Sequence, residues 1–178
     1  MDTAQLQILW DHLQIEKQLA TYCRGIDRCD KELLKTVYWP DAIEEHGIFN
    51  GNAWEFAEFI VPLLQGMKVT MHSISNTLIE LNGDHASVET YVVAFHLMDA
   101  PEGGPVDMVV GGRYLDRFER RQGEWRIAKR TFVHDWNQNQ KATAQWDTGI
   151  YVQLNVRGSH DRSDPSYALL GRPKGPGV

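Results

Sequence analysis

The sequence has 178 residues, of which 42% are hydrophobic and 24% are charged. A chain of this size and composition is typical of one globular domain that can enclose a core and a small-molecule pocket. The formal net charge of -6 disfavours a nucleic-acid surface, which needs clustered Lys and Arg. We therefore expect a neutral or weakly polar small-molecule ligand and no nucleic-acid partner.

The two cysteines, Cys23 and Cys29, lie close together but do not form a C-x-x-C pair. They are predicted to be reduced thiols in a cytoplasmic protein, without a disulfide scaffold or a zinc site. The N-terminal segment lacks the basic start and apolar run of a signal peptide, and no apolar run approaches the ~20 residues that cross a bilayer. Secretion and a membrane location are therefore not expected.

The N-terminal part of the chain has helical periodicity interrupted by one strand-like segment. Asp30 and Asn52 are the predicted N-caps of the second and third helices, and the Trp39-Pro40 junction must end the second. The predicted elements are a helix from Leu6 to about Asp27, a helix from Lys31 to about Tyr38, a short strand from Ala42 to Ile48 and a helix from Ala53 to about Leu64.

After Gly66 the sequence becomes rich in Val, Ile, Thr, Tyr and Phe, which favour strands. The predicted long strands are Lys68 to Leu81, Ala86 to Met98, Val106 to Arg120 and Glu124 to Trp136. Their connections have hairpin chemistry, and the pair Gly111-Gly112 predicts a bulge or bend that lets the sheet curl around a cavity. Helices followed by an antiparallel meander predict an α+β fold with helices on one face of the sheet.

No repeat or linker divides the chain into two domains. Residues 1–137 are predicted to form the α+β domain, and residues 138–178 an extended C-terminal tail. The tail is expected to contact the domain surface or a neighbouring subunit, because Trp146, Ile150 and Tyr151 would be costly to leave exposed.

Asp27 and His72 are the first candidates for chemistry. Asp27 lies at the border between the apolar stripe and the solvent face of the first helix, so the pattern alone leaves it either solvated or buried. An acid at the C-terminal end of a helix is disfavoured by the helix dipole, and a His or Arg partner would compensate it. His72 faces the cavity if its strand face does, and a carboxylate that accepts one ring N–H would make it a base. A structural histidine is the alternative.

Arg130 and Tyr22 are further candidates, each with a structural alternative. Arg130 is either a member of a buried ion pair or a ligand for an anion or oxyanion. Tyr22 either packs in the core or presents its phenol to the cavity. The histidines have no metal-ligand spacing, and motifs for acyl transfer, nucleotides and dinucleotides are absent from the sequence. Simple acid–base chemistry without a metal or cofactor is therefore predicted.

With these residues placed, the chain resembles the SnoaL-like branch of the nuclear transport factor 2-like superfamily. The resemblance covers roughly residues 5–137 and rests on Tyr22-x4-Asp27, "DRCDKELLKTVYWPDA", "MHSISN" around His72 and "GGRYLDRFERRQGEWRIAKRTFVHDW". It implies a cone-shaped α+β barrel, in which helices pack on a strongly curved, mixed, mostly antiparallel sheet that encloses a pocket. Within this branch the chain is similar to cofactor-free lyases with a His–Asp pair: scytalone dehydratase, bile acid 7α-dehydratase and hexachlorocyclohexane dehydrochlorinase.

The resemblance also implies roles for individual residues. His72 corresponds to the proton-abstracting base and Asp27 to the carboxylate that orients it, with Tyr22 and Arg130 at the same site. Phe95 stands where the bile acid enzymes place a cavity residue, and a shifted strand register would put His96 there instead. The residues expected to line the substrate pocket are Tyr38, Trp39, Trp54, Phe95, Tyr114 and Phe132.

The function implied by the resemblance is a cofactor-independent lyase that performs a dehydratase-like β-elimination. Its substrate is expected to be a small hydrophobic cyclic molecule of aromatic, polyketide or steroid-like type. The same resemblance implies a homo-oligomer, with a trimer favoured over a dimer. The alternatives are a ketosteroid isomerase-like or polyketide cyclase-like enzyme and a non-catalytic small-molecule-binding protein, because a fold does not determine function.

Overall fold

The computed structural model of the protein describes residues 2–171. In chain order its elements are α1 (Thr3–Asp27), α2 (Lys31–Val37), β1 (Tyr38–Glu45), β2 (Asn50–Asn52), α3 (Ala53–Gln65), β3 (Val69–Asn82), β4 (His85–Asp99), β5 (Pro105–Arg121), β6 (Glu124–Lys141), a short 3-10 helix (Gly149–Gln153) and α4 (Pro165–Leu170). Helix α1 packs against β3 and helix α3 packs against β1, so helices cover one face of the sheet. The predicted α+β class is confirmed.

The six strands form one sheet in the order β2-β1-β6-β5-β4-β3. The β3-β4-β5-β6 meander is antiparallel throughout, and β1 joins it by a parallel pairing with β6. The sheet is therefore mixed and mostly antiparallel, as predicted. Within residues 2–171 it is open, because β2 and β3 are its two ends and do not pair with each other.

The predicted bend at Gly111-Gly112 is present as a register shift between β5 and β6. A Cβ atom on Gly112 would lie 2.2 Å from the carbonyl oxygen of Val133, and one on Gly111 would lie 2.1 Å from the ring of Trp136. Both distances are far below van der Waals contact, so only glycine permits this close approach of the two strands. The bulge gives the sheet the local bend that the sequence predicted.

Helix α1 begins earlier than predicted, at Thr3 instead of Leu6. The Asp2 side chain accepts from the Gln5 backbone N–H at 2.9 Å, and the Gln5 side chain accepts from the Asp2 N–H at 3.1 Å. This capping box satisfies two backbone donors that the helix itself leaves unpaired. It extends the helix into a stretch whose apolar residues remain exposed.

The junction between α2 and β1 also differs from the prediction. Helix α2 ends at Val37, and Tyr38 already belongs to β1, whereas the predicted strand began at Ala42. The pairing of β1 with β6 is irregular between Tyr38 and Ile43, a stretch that contains Pro40. Proline has no N–H for a strand ladder, so it is tolerated at such an irregular position.

The hydrophobic core lies between the helices and the sheet. Its largest fully buried apolar side chains include Phe56 of α3, Phe118 of β5 and Trp125 of β6. Cys23 and Cys29 are buried free thiols. Among the described residues, no helix is both long enough and apolar enough to span a bilayer.

The tail returns to the domain at the C-terminal end of α1. Arg28 donates to Asp164 at 2.6 Å, and the phenol of Tyr167 donates to Asp30 at 2.9 Å. Strand β6 continues to Lys141, so the first residues of the predicted tail are part of the sheet. Residues 172–178 of the predicted tail lie outside the described residues.

Gly112→Ala is expected to lower the free energy of unfolding by about 1–3 kcal/mol, because the added methyl group must push β5 away from the Val133 carbonyl. Urea denaturation measures the change. Gly51→Ala is the matched control, since its Cβ would meet the Phe49 ring at an ordinary 3.4 Å. Equal losses in the two variants would contradict the proposed close approach.

Candidate active site

A cavity of about 270 Å³ lies between the helices and the concave face of the sheet. It is lined by Tyr22, Ile26, His46, Ile48, Phe56, Ile60, Leu64, Met67, His72, Val92, Ala94, His96, Met108, Val110, Tyr114 and Phe132. The lining is mainly apolar, with three histidines and two tyrosines as its polar groups. An apolar cavity with a few converging polar groups is the usual form of a small-molecule site.

Asp27 and His72 meet at the wall of this cavity. Asp27 is the last residue of α1, and its Oδ1 lies 2.7 Å from Nδ1 of His72 on β3. Its Oδ2 also accepts the backbone N–H of His72 at 2.9 Å. Asp27 is 8% exposed, so these donors replace the water that it has lost. They also offset the unfavourable position of an acid at the end of a helix.

His96, and not Phe95, is the residue of β4 that faces the cavity. Side chains alternate along a strand, and Val92, Ala94 and His96 share the inward face. The expectation that Phe95 lines the pocket is therefore wrong. Phe95 belongs to the opposite face of the sheet.

The two histidine rings of His72 and His96 are neighbours. Their centroids are 5.5 Å apart and the rings are perpendicular. Burial, and then the charge of His72, lowers the pKa of His96 to about 4. His96 is therefore neutral near neutral pH.

Arg130 is fully buried and does not line the cavity. Its Nε and Nη2 donate to the two oxygens of Asp116 at 2.7 and 2.6 Å. The guanidinium lies between the rings of Tyr22 and Tyr114, at 4.0 and 3.9 Å from their centroids. Of the two roles left open by the sequence, the buried ion pair is the one that this geometry supports.

Tyr22 reaches the cavity, with the rings of Tyr38 and Tyr114 packed edge-on against it. Burial, with a further contribution from the charge of Glu44, raises the pKa of the Tyr22 phenol above its ordinary value. The phenol therefore keeps its proton and is available as a hydrogen-bond donor.

Of the remaining aromatic residues expected in the pocket, Tyr114 and Phe132 line it and Tyr38, Trp39 and Trp54 do not. Tyr38 donates to Glu44 at 2.8 Å inside the core. The indole N–H groups of Trp39 and Trp54 each donate to a backbone carbonyl. The polar atoms of these three side chains are hydrogen-bonded within the protein, so the three residues have structural roles.

His46 is an ionisable cavity residue that was not selected from the sequence. Its Nδ1 lies 2.8 Å from Oε1 of Glu44, which is fully buried. Its ring stacks between Phe56 and Phe132, with centroid distances of 5.0 and 4.8 Å. The available signal was the spacing of two between Glu44 and His46 in a predicted strand, which places both on one face.

Three cavity histidines do not form a metal centre in this geometry. Within residues 2–171, no group of three or more His, Cys, Asp and Glu side chains is arranged to hold a metal ion. Two of the histidines, His46 and His72, instead each contact a carboxylate.

Arg130→Met leaves the Asp116 carboxylate buried without its cation, and it is expected to cost about 3–5 kcal/mol of stability. The double variant Arg130→Met/Asp116→Leu removes both charges and should regain most of that loss. Urea denaturation compares the two proteins. A double variant no more stable than the single one would contradict the structural role of the pair.

Acidification should destabilise the fold through His96. Below pH 6.5 the unfolded chain protonates His96, whereas the folded protein does so only near pH 4. Between these pH values the free energy of unfolding is expected to fall by up to roughly 3 kcal/mol. His96→Asn should remove this contribution to the pH dependence. Denaturation at several pH values measures it. His85→Asn, at the exposed start of β4, is the control. An unchanged pH slope in His96→Asn would refute the assignment.

Comparison with known proteins identifies the family to which this fold belongs. The model of a family described as the SnoaL-like domain matches residues 7–131. None of the curated proteins matches the chain.

Several solved structures share the fold at low sequence identity. The hexachlorocyclohexane dehydrochlorinase LinA-type3 from Novosphingobium barchaimii is 18% identical, with a TM-score of 0.68 over 82% of this chain and 99% of that one. A provisionally named scytalone dehydratase from Novosphingobium aromaticivorans is 20% identical, with a TM-score of 0.65 over 76% and 91%. Rv3472, a protein of unknown function from Mycobacterium tuberculosis, is 20% identical, with a TM-score of 0.63 over 97% and 94%.

These similarities show a common fold, and the family match extends over more than half of the chain. The predicted resemblance is confirmed: this protein belongs to the SnoaL-like domain family of the nuclear transport factor 2-like superfamily.

Proposed function

We propose that this protein is a cofactor-independent lyase that performs a dehydratase-like β-elimination on a small cyclic, hydrophobic substrate of aromatic, polyketide or steroid-like type. The observation that carries the proposal is the 2.7 Å contact between Asp27 Oδ1 and His72 Nδ1 in the wall of an apolar cavity. The names of structural neighbours such as the dehydrochlorinase are consistent with this class of reaction.

His72 is the proposed base. Because Asp27 accepts the Nδ1 proton, the lone pair of the neutral ring is on Nε2. That nitrogen takes a proton from a carbon next to a carbonyl group, and the carboxylate of Asp27 stabilises the imidazolium that forms. The electrons of the broken C–H bond pass through an enolate to form the C=C bond, and the bond from the β-carbon to a hydroxide or halide breaks.

Tyr22 is the proposed donor to the enolate oxygen. The Tyr22 side chain lines the cavity, and its phenol is protonated, as a donor to an oxyanion must be. Arg130 contributes by packing against the Tyr22 ring at 4.0 Å, so it acts as a positioning residue. The resemblance implied a pocket position near the same site for Arg130, whereas here Arg130 lies behind the Tyr22 ring.

An isomerase or cyclase would need the same base but would return the proton to the substrate. The observation that supports this alternative is the position of the neutral His96, whose ring centroid lies 5.5 Å from that of His72. A non-catalytic binding protein would bind the ring compound without turnover.

The expected homotrimer remains part of the proposal. The tail exposes apolar side chains, among them Ile150, Leu154 and Val156. Burial of such side chains against a second copy would be favourable.

His72→Ala and Asp27→Asn are expected to lower kcat/KM by about 10²- to 10⁴-fold, the usual contribution of a general base. The assay uses small cyclic β-hydroxy ketones and their β-chloro analogues and follows the ultraviolet absorbance of the conjugated product. Asp27→Asn retains an acceptor for the His72 backbone N–H but loses the charge, so it separates folding from catalysis. His85→Ala is the control and should retain wild-type turnover.

The outcomes of this assay are distinct. Wild-type turnover in His72→Ala would refute the proposed base. Product analysis in deuterated water separates elimination, which loses water or chloride, from isomerisation, which returns a deuterated isomer of the substrate. Binding of these ketones without any acceleration would favour the non-catalytic alternative.

A further inference from the structure

A second histidine–carboxylate pair stands in the same cavity and has no part in the function proposed above. It consists of His46, in the turn after β1, and Glu44 of β1. The Nδ1 atom of His46 lies 2.8 Å from Oε1 of Glu44, and the phenol of Tyr38 donates to Oε2 of the same carboxylate at 2.8 Å. The three side chains form a continuous chain of hydrogen bonds from the core to the cavity.

The two histidine pairs come from opposite ends of the sheet. In the strand order β2-β1-β6-β5-β4-β3, the strand β1 lies near one end and β3 is the other end. Curvature of the sheet brings His46 and His72 into the lining of one cavity. A molecule in that cavity can therefore contact both a histidine that follows β1 and a histidine of β3.

The ring of His46 is held in one orientation. Phe56 of α3 and Phe132 of β6 stack on it, at interplanar angles of 29° and 15°. Glu44 fixes Nδ1, which leaves Nε2 on the far side of the ring. Among the described residues, Nε2 of His46 has no hydrogen-bond partner in the protein, and it is free to contact a ligand.

Glu44 is a second fully buried carboxylate close to the pair of Asp116 and Arg130. Glu44, Asp116 and Arg130 are fully buried, and Arg130 neutralises Asp116 through two hydrogen bonds. Arg130 makes no hydrogen bond to Glu44, and a buried carboxylate is stabilised by a cation in contact with it. His46 is the ionisable group in contact with Glu44, and an imidazolium at this position would compensate the charge of the carboxylate.

Tyr38 strengthens this arrangement without supplying charge. Burial, and then the charge of Glu44, raises the pKa of the Tyr38 phenol well above its ordinary value. Tyr38 therefore stays protonated and donates a hydrogen bond to Glu44. Glu44 and Tyr38 are positioning residues, and His46 is the group that reaches the substrate.

We propose that His46, in its imidazolium form, is the general acid that protonates the leaving hydroxyl group, opposite the base on β3. This inference rests on the elimination proposed above. As His72 takes the proton from carbon and the C=C bond forms, the C–O bond breaks, and its electrons remain on the oxygen. That oxygen takes the Nε2 proton of His46 and departs as water.

The reaction leaves His46 neutral and His72 protonated. The proton balance closes when His72 releases its proton to solvent and His46 takes one up. After His46 has given up its proton, the carboxylate of Glu44 has no cation beside it, which favours reprotonation of His46. A chloride ion is a stable leaving group and needs no proton, so the same site would eliminate chloride without help from His46.

The first test reads the protonation state directly and needs no substrate. Nitrogen-15 NMR of histidine-labelled protein at neutral pH should show one ring with protons on both nitrogens, and its signals should disappear in His46→Gln. In Glu44→Gln the same ring should become neutral, whereas in Glu45→Gln, the adjacent carboxylate that pairs with Lys129, it should stay protonated. A neutral His46 in the wild-type protein would overturn the proposal.

The second test compares two leaving groups on one cyclic ketone, the β-hydroxy compound and its β-chloro analogue. His46→Gln should lower kcat/KM for the hydroxy compound by about 10²- to 10⁴-fold and for the chloro compound less than tenfold. His72→Ala should lower both equally, so loss of the proposed function and loss of the proposed acid give different patterns. Equal losses for the two substrates in His46→Gln would overturn the acid role.

Discussion

The curved sheet encloses carboxylates that water reaches little or not at all, and the rest of the site depends on how their charges are compensated. Removing a charge from water costs several kcal/mol unless hydrogen bonds or an opposite charge replace the lost hydration. Each carboxylate in this region accordingly has a dedicated partner. The pairs are Asp27 with His72, Glu44 with His46, and Asp116 with Arg130. The first two pairs place a histidine in the cavity wall. In the third pair, Arg130 packs against the rings of Tyr22 and Tyr114.

The architecture explains why two of these pairs share one cavity. Strands β1 and β3 are far apart in the order of the sheet, and only a curved sheet brings side chains from both into the same space. Gly111 and Gly112 permit the bend, because a side chain at either position would collide with β6. A structural feature without any chemistry of its own thus determines which ionisable groups can act on one substrate.

The sequence predicted some of the site and missed other parts for identifiable reasons. Helical periodicity left Asp27 at the border of the apolar stripe, and the structure buries it because α1 ends against β3. The long strands were recognised from their composition, but composition does not define register, and Phe95 was chosen where His96 faces inward. Trp39 and Trp54 were expected in the pocket because aromatic residues suit both pockets and cores. His46 was not selected as a site residue, because two adjacent ionisable residues on its strand face, Glu44 and His46, do not mark that face as buried.

The sequence by itself determined the order of helices and strands, the caps at Asp30 and Asn52, the bend at the paired glycines and the α+β class. These features depend on local preferences, which neighbouring residues carry. Only the tertiary structure decided which ionisable side chains meet. The contact of Asp27 with His72 joins residues 45 positions apart. Such partnerships depend on strand register and sheet curvature, and a shift of one residue in β4 would exchange a histidine for a phenylalanine in the cavity wall.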